Sequence, residues 1–268
     1  MLLNNHPALF NESNLILLIK TLTLSANIAL FLIGCGSNSY TIKKPSPERA
    51  LGQCVVLLHG LGRTYHSMDK MQTALTRAGY HTINLDYPSR KKKIEYLAAQ
   101  YIPLALRQCR QFNPSAVHFV THSLGGIVVR MAVAQNRPKK LGRVVMLSPP
   151  NRGSVVVDHL KSRWYYVWLN GPAGRQLSTA KDSIPNQLGP VDYPTGIITG
   201  DRHAFFDQWL VPYFKGPHDG KVSVERAKVD GMADFLVVHA THPFIMNSEY
   251  TQFETIQFLK NGAFTHQQ

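Results

Sequence analysis

Six consecutive residues, Thr121-His122-Ser123-Leu124-Gly125-Gly126, follow the apolar run Val117–Val120 and open a helix-forming stretch. A serine on a sharp strand-to-helix turn presents its hydroxyl at the edge of a sheet, where it can attack an acyl carbonyl. Gly125 supplies the small residue such a turn needs, whereas Thr121 stands where the usual G-x-S-x-G pattern has glycine. A plain junction with Ser123 as helix N-cap would use the same residues. A nucleophilic serine also needs a base and an orienting acid, in the chain order Ser, acid, His. Asp201, in Thr199-Gly200-Asp201, and Asp219, in His218-Asp219-Gly220-Lys221-Val222-Ser223, are the acids in suitable loops. Asp219-Gly220 is equally a β-turn signal. His239 and His242 fall at the end of, and just beyond, the run Phe235–Val238. A proton acceptor belongs on the loop past the strand, which favours His242.

The elements that must position these residues can be read from hydrophobic period. Cys54-Val55-Val56-Leu57-Leu58 is a continuous apolar run, the mark of a strand buried on both faces. Met68–Ala78 reads as a helix stopped by Gly79, and His81–Leu85 as the next strand. The pattern continues with helix Ile94–Cys109, strand Val117–Val120 and helix Leu124–Gln135. Strands at Val144–Leu147, Gly196–Thr199 and Phe235–Val238 and a closing helix at Phe253–Leu259 complete it. Such alternation predicts an α/β fold with a mostly parallel central sheet and helices on both faces. Between Pro149 and Pro194 the alternation fails, in a stretch holding Trp164, Tyr165, Tyr166 and Trp168. Those aromatics either pack into the core or build a small cap over residues 150–194, above the carboxyl ends of the strands.

Leu58-His59-Gly60-Leu61-Gly62, at the end of the first strong strand, resembles the oxyanion-hole loop of lipases and esterases. On that likeness the backbone N–H groups of Leu61 and Leu124 are the oxyanion donors, aided by the dipole of the helix after Ser123. Taken with the serine motif, these residues resemble the α/β-hydrolase superfamily, in particular its bacterial lipase- and esterase-like members. The likeness runs from Gln53 to the C-terminus and includes Ser148-Pro149-Pro150-Asn151-Arg152-Gly153-Ser154. It also includes Asp219-Gly220-Lys221-Val222-Ser223 and His242-Pro243-Phe244-Ile245-Met246, which selects Asp219 over Asp201 and His242 over His239. The resemblance implies an α/β-hydrolase fold over residues 53–268. It implies a serine hydrolase that cleaves carboxylic esters, of lipids or short acyl groups, through Ser123, His242, Asp219 and an acyl-enzyme. It implies no metal or organic cofactor. Acyl transfer to an alcohol or amide cleavage by the same triad, or a non-catalytic shell used for binding, are the competing readings.

Composition bounds the rest. With 268 residues, 44% of them hydrophobic, the chain suits one large domain and excludes disorder as its main state. Lysine and arginine exceed aspartate and glutamate by 29 − 16 = 13, with runs at Arg90-Lys91-Lys92-Lys93 and Arg137-Pro138-Lys139-Lys140. No nucleic-acid-reading motif accompanies them, leaving a solvated basic surface or one that meets a membrane. No obligate protein partner is implied. Thr21 to Gly34 is uncharged and apolar-rich, and Leu32-Ile33-Gly34-Cys35 resembles a bacterial lipoprotein cleavage box. Residues 1–35 are therefore expected to direct export, with Cys35 lipidated in a membrane-anchored form, or the protein periplasmic. Residues 36–52 are expected to be a tether. Cys54 and Cys109 are expected to be two buried thiols, although an oxidising compartment would permit a disulfide.

Overall fold

The structure, a computed structural model, describes residues 39–267; the expected export segment and Cys35 lie outside the described residues. The chain runs β1 (Tyr40–Lys43), β2 (Cys54–Leu58), α1 (Asp69–Arg77), β3 (His81–Leu85), α2 (Ile94–Arg110), β4 (Val117–His122) and α3 (Leu124–Gln135). It continues through β5 (Leu141–Leu147), α4 (Val155–Leu160), α5 (Trp164–Arg175), α6 (Ile184–Gln187) and β6 (Thr195–Arg202). After a 3-10 stretch at Phe205–Tyr213 come α7 (Val224–Ala227), β7 (Asp234–Thr241) and α8 (Glu249–Asn261). The seven strands form one sheet in the order β1-β3-β2-β4-β5-β6-β7. Every pairing is parallel except β1 with β3. This is the α/β-hydrolase fold that the residues implied.

The apolar runs became strands because both faces of the sheet are covered. Alternate residues of β2 feed two separate cores, as a period of two requires. Cys54, Val56 and Leu58 pack with Ile94, Leu97, Ile127 and Val128 of α2 and α3. Val55 and Leu57 pack on the other face with Met71 and Leu75 of α1 and Phe258 of α8. Each such side chain contributes about 1.5–3 kcal/mol by leaving water. Strand order reverses around β2, so the chain leaves β2 and β4 side by side. Leu58 is paired with Thr121, so β2 and β4 end at nearly the same level, with His59 following one and His122 closing the other. Crevices for ligands in such sheets form at this reversal.

Two expectations are corrected. The tether expected over residues 36–52 holds β1, whose Tyr40–Lys43 pairs antiparallel with Thr82–Leu85 at the sheet edge. Its first three residues are all half-buried and the fourth is exposed, so this four-residue edge strand carries no alternation to stand out in sequence. Cys54 and Cys109 are not free thiols but a buried disulfide, with Cα atoms 5.8 Å apart. The end of α2 passes over the start of β2, which brings together two residues 55 apart in sequence.

A cross-link closing a loop of this length limits the unfolded chain by about 4 kcal/mol in the chain-entropy model. The double variant Cys54→Ala/Cys109→Ala is therefore expected to lose stability of about 2–5 kcal/mol, read from the urea unfolding curve. An unchanged midpoint would show that the cross-link does not constrain the chain.

Candidate active site

Ser123 sits between β4 and α3 with φ 52° and ψ −121°. A left-handed φ is unfavourable for a residue with a side chain, by about 1–3 kcal/mol, and persists only where the surroundings enforce it. Enforcement comes from Ser123 N–H donating to Leu147 O at 2.8 Å and Gly126 N–H donating to Ser123 O at 3.0 Å. Its hydroxyl makes no capping bond to α3, which disposes of the N-cap alternative. Close packing underneath demands glycine. A Cβ at Gly125 would lie 2.9 Å from the Leu58 carbonyl oxygen, and one at Gly60 would lie 2.7 Å from His122 Nδ1 and 3.2 Å from Ser123 Cβ.

The Ser123 hydroxyl lies 3.1 Å from His242 Nε2, and His242 Nδ1 lies 2.7 Å from Asp219 Oδ2. The other Asp219 oxygen accepts the backbone N–H groups of Lys221 and Val222 at 2.9 and 2.8 Å. Asp219 is fully buried. Desolvation pushes its pKa up, but the His242 charge and these hydrogen bonds outweigh it and hold the carboxyl below its ordinary value. The rejected candidates pair with each other instead: Asp201 Oδ1 meets His239 Nδ1 at 2.9 Å on the exposed side of the sheet end. Among the described residues, the backbone N–H groups of Leu61 and Leu124 find no acceptor. No cluster of His, Cys, Asp or Glu among the described residues is arranged to hold a metal ion.

Two residues that support this chain escaped sequence reasoning. His122 Nε2 donates to the carbonyl oxygen of His242 at 2.9 Å, which fixes its tautomer, and its ring lies 4.8 Å from that of His242. Arg63 Nη2 donates to the carbonyl oxygen of Pro243 at 2.9 Å. With His242 N–H bonded to Asp219 O at 3.0 Å, three bonds hold the histidine loop. His122 lies within the serine motif and Arg63 directly follows Leu58–Gly62, and that placement was the only sequence signal for either residue. Burial foremost, and then the charges of His242 and Arg63, hold the His122 pKa well below its ordinary value. A neutral His122 thus keeps its donor through the physiological range.

The hydroxyl opens into a cavity of about 520 Å³. Its inner wall is aliphatic, from Leu61, Val156, Val157, Leu160, Leu177 and Val222. Residues of α4 and α5 line it, so part of the segment 150–194 contributes to the cavity wall. Phe206, Trp209 and Leu210 of the 3-10 stretch line it as well, a contribution the sequence did not suggest.

A serine on a strained strand-to-helix turn at a sheet reversal, hydrogen-bonded through a histidine to an aspartate beside an apolar pocket, fits a class that comparison with known proteins also returns. The alpha/beta hydrolase family model matches residues 55–250, and the chain belongs to that family. A Bacillus licheniformis lipase, BlEst2 in its mature form, superposes with a TM-score of 0.64 at 19% identity, covering 83% of this chain and 97% of that one. A chain from the pair of metagenome-derived lipolytic enzymes LipS and LipT gives 0.57 at 16%, covering 84% of this chain and 98% of that one. Phospholipase PlaB from Legionella pneumophila gives 0.59 at 16%, covering 78% of this chain and 62% of that one. At these identities the likeness is one of fold. No curated protein matches the sequence.

Two outcomes follow. Gly60→Ala is expected to slow the reaction of Ser123 with a fluorophosphonate on the order of 10²-fold by displacing the imidazole and hydroxyl beside it. A wild-type rate would mean the loop tolerates the methyl group. In acid, the folded chain refuses protons that the unfolded chain accepts at His122 and at His118, whose pKa burial and then Arg143 push down to about 4. Stability is then full above the ordinary histidine value and falls as pH drops from there towards 4. The slope is up to roughly 1.4 kcal/mol per pH unit per histidine. Urea curves between pH 7 and 5 should show this fall, and His118→Gln should lessen it; a flat profile would refute the assignment.

Proposed function

We propose that the protein is a serine hydrolase that cleaves carboxylic esters. The observation that carries this reading is the buried hydrogen-bonded chain Asp219–His242–Ser123 opening on an apolar cavity. His242 takes the Ser123 proton as the hydroxyl attacks the ester carbonyl, while Asp219 fixes the imidazole tautomer and stabilises the imidazolium. The oxyanion is received by the N–H groups of Leu61 and Leu124, each donor being worth about 3–4 kcal/mol in the transition state. His242 then protonates the departing alcohol. Water, activated by the same histidine, hydrolyses the acyl-enzyme and restores Ser123. The aliphatic wall suits an acyl chain. His122 and Arg63 act through position, holding the histidine loop against the elbow.

Export and lipidation of Cys35 belong to the same proposal. The Cys54–Cys109 disulfide supports export, since such bonds persist mainly in oxidising compartments.

Hydrolysis of p-nitrophenyl esters of graded acyl length tests the reading. Ser123→Ala is expected to lower kcat by on the order of 10⁴–10⁶ and abolish fluorophosphonate labelling. Absence of turnover and of labelling in the unaltered protein would leave a non-catalytic shell as the better account.

A further inference from the structure

All three tryptophans of the chain are exposed on two elements that line one cavity, α5 and the 3-10 stretch. Trp164 and Trp168 are 79% and 77% exposed on α5, and Trp209 is 55% exposed on the facing 3-10 stretch. Phe205, beside them in that stretch, is 93% exposed. Trp164 and Trp168 lie one helical turn apart and so share a face. The neighbouring stripe, Tyr165 and Leu169, lines the cavity that holds Ser123. Isolated exposed apolar residues are ordinary, but several large aromatics on two elements that line one cavity exceed what a water-facing surface tolerates without a function.

The charge around these aromatics is predominantly positive. The run Arg90–Lys93 is exposed and packs beside α5, where Arg90 Nη1 donates to the Leu169 carbonyl oxygen. Residues 159–181, which contain α5, hold Lys161, Arg163, Arg175 and Lys181 and no carboxylate. Of the carboxylates nearby, Asp158 accepts from Thr179, Glu95 accepts from Gln176 and Asp207 is buried against Lys221, which leaves Asp182, just past this stretch, exposed. Tryptophan rings prefer the headgroup level of a bilayer, and lysine clusters are drawn to anionic lipid. Among the described residues no helix is long and apolar enough to cross a membrane, so this surface can lie on a bilayer rather than span it.

We propose that the aromatic rim docks on an anionic lipid bilayer and sets the cavity mouth against it, so that the ester enters from the membrane. Docking stands on exposure and charge. Only entry of the ester rests on the hydrolase reading. With the mouth seated, an acyl chain can pass from lipid to the aliphatic wall without crossing water.

Because every tryptophan lies on this surface, intrinsic fluorescence reports its contact without a label. The full chain carrying Ser123→Ala is mixed with vesicles of phosphatidylcholine, or of equal parts phosphatidylcholine and phosphatidylglycerol, each with or without brominated acyl chains. Emission is expected to shift to the blue and be quenched by brominated lipid, more strongly on the anionic vesicles and less at high salt. Phe205→Ser with Lys91→Gln, Lys92→Gln and Lys93→Gln keeps all three tryptophans and is expected to weaken this response about tenfold or more. Vesicle binding by sedimentation with unquenched tryptophan would place the contact elsewhere and overturn the proposal. Blue emission before lipid is added would also overturn it. If that emission depended on protein concentration, a second copy would be the occupant; otherwise, it would be the chain itself. Since Ser123→Ala removes catalysis, docking is read independently, and failure of ester turnover in the unaltered protein would leave this result standing.

Discussion

A carboxylate sealed from water must be given partners, because an unpaired buried charge is among the costliest features a fold can hold. Asp219 is such a group, and its demands organise the site. One oxygen takes the His242 ring and the other takes two backbone N–H groups of its own loop, so that loop must turn tightly at Gly220. Asp219 O receives His242 N–H, which ties the acid loop to the histidine loop through backbone as well as side chains. The imidazole is left with a single free direction, towards Ser123. Orientation of the His242 ring is therefore a consequence of satisfying the Asp219 carboxylate.

The opposite constraint acts on the serine side, where strain must be imposed. Ser123 holds its φ because β4, β5 and α3 all bond to its peptide groups or neighbours, and because α3 can approach β2 at Gly125. The sheet order makes this approach possible, since β2 and β4 are adjacent and end in register. His122 joins the two halves: it belongs to the elbow and bonds to the histidine loop. A neutral, deeply buried imidazole suits that task, because protonation would add charge beside His242 and Arg63.

Around this rigid centre the entrance is built differently. Short helices and a 3-10 stretch, not strands, surround the cavity, and they turn aromatic rings outward. Backbone hydrogen bonds in such elements are local, so their side chains can be spent on contact with something outside the chain. The central sheet has no such freedom, since both of its faces are occupied by core.

Much of this was legible in the residues. Continuous apolar runs marked the buried strands, and the order of serine, acid and histidine motifs selected Ser123, Asp219 and His242, which the fold brings into hydrogen-bonding range. These signals are local: hydrophobic period and turn chemistry act over a few residues, so they survive in one dimension. The pairing of Cys54 with Cys109, the edge strand Tyr40–Lys43, the anchoring roles of His122 and Arg63, and the aromatic wall at Phe205–Tyr213 were not legible. Each depends on which segment lies beside which, over separations of tens to nearly two hundred residues. By itself the sequence determined the order of elements and the chemical groups at their ends. Tertiary packing alone decided their partners, because a hydrogen bond or a disulfide is made by distance in space, which spacing along the chain does not set.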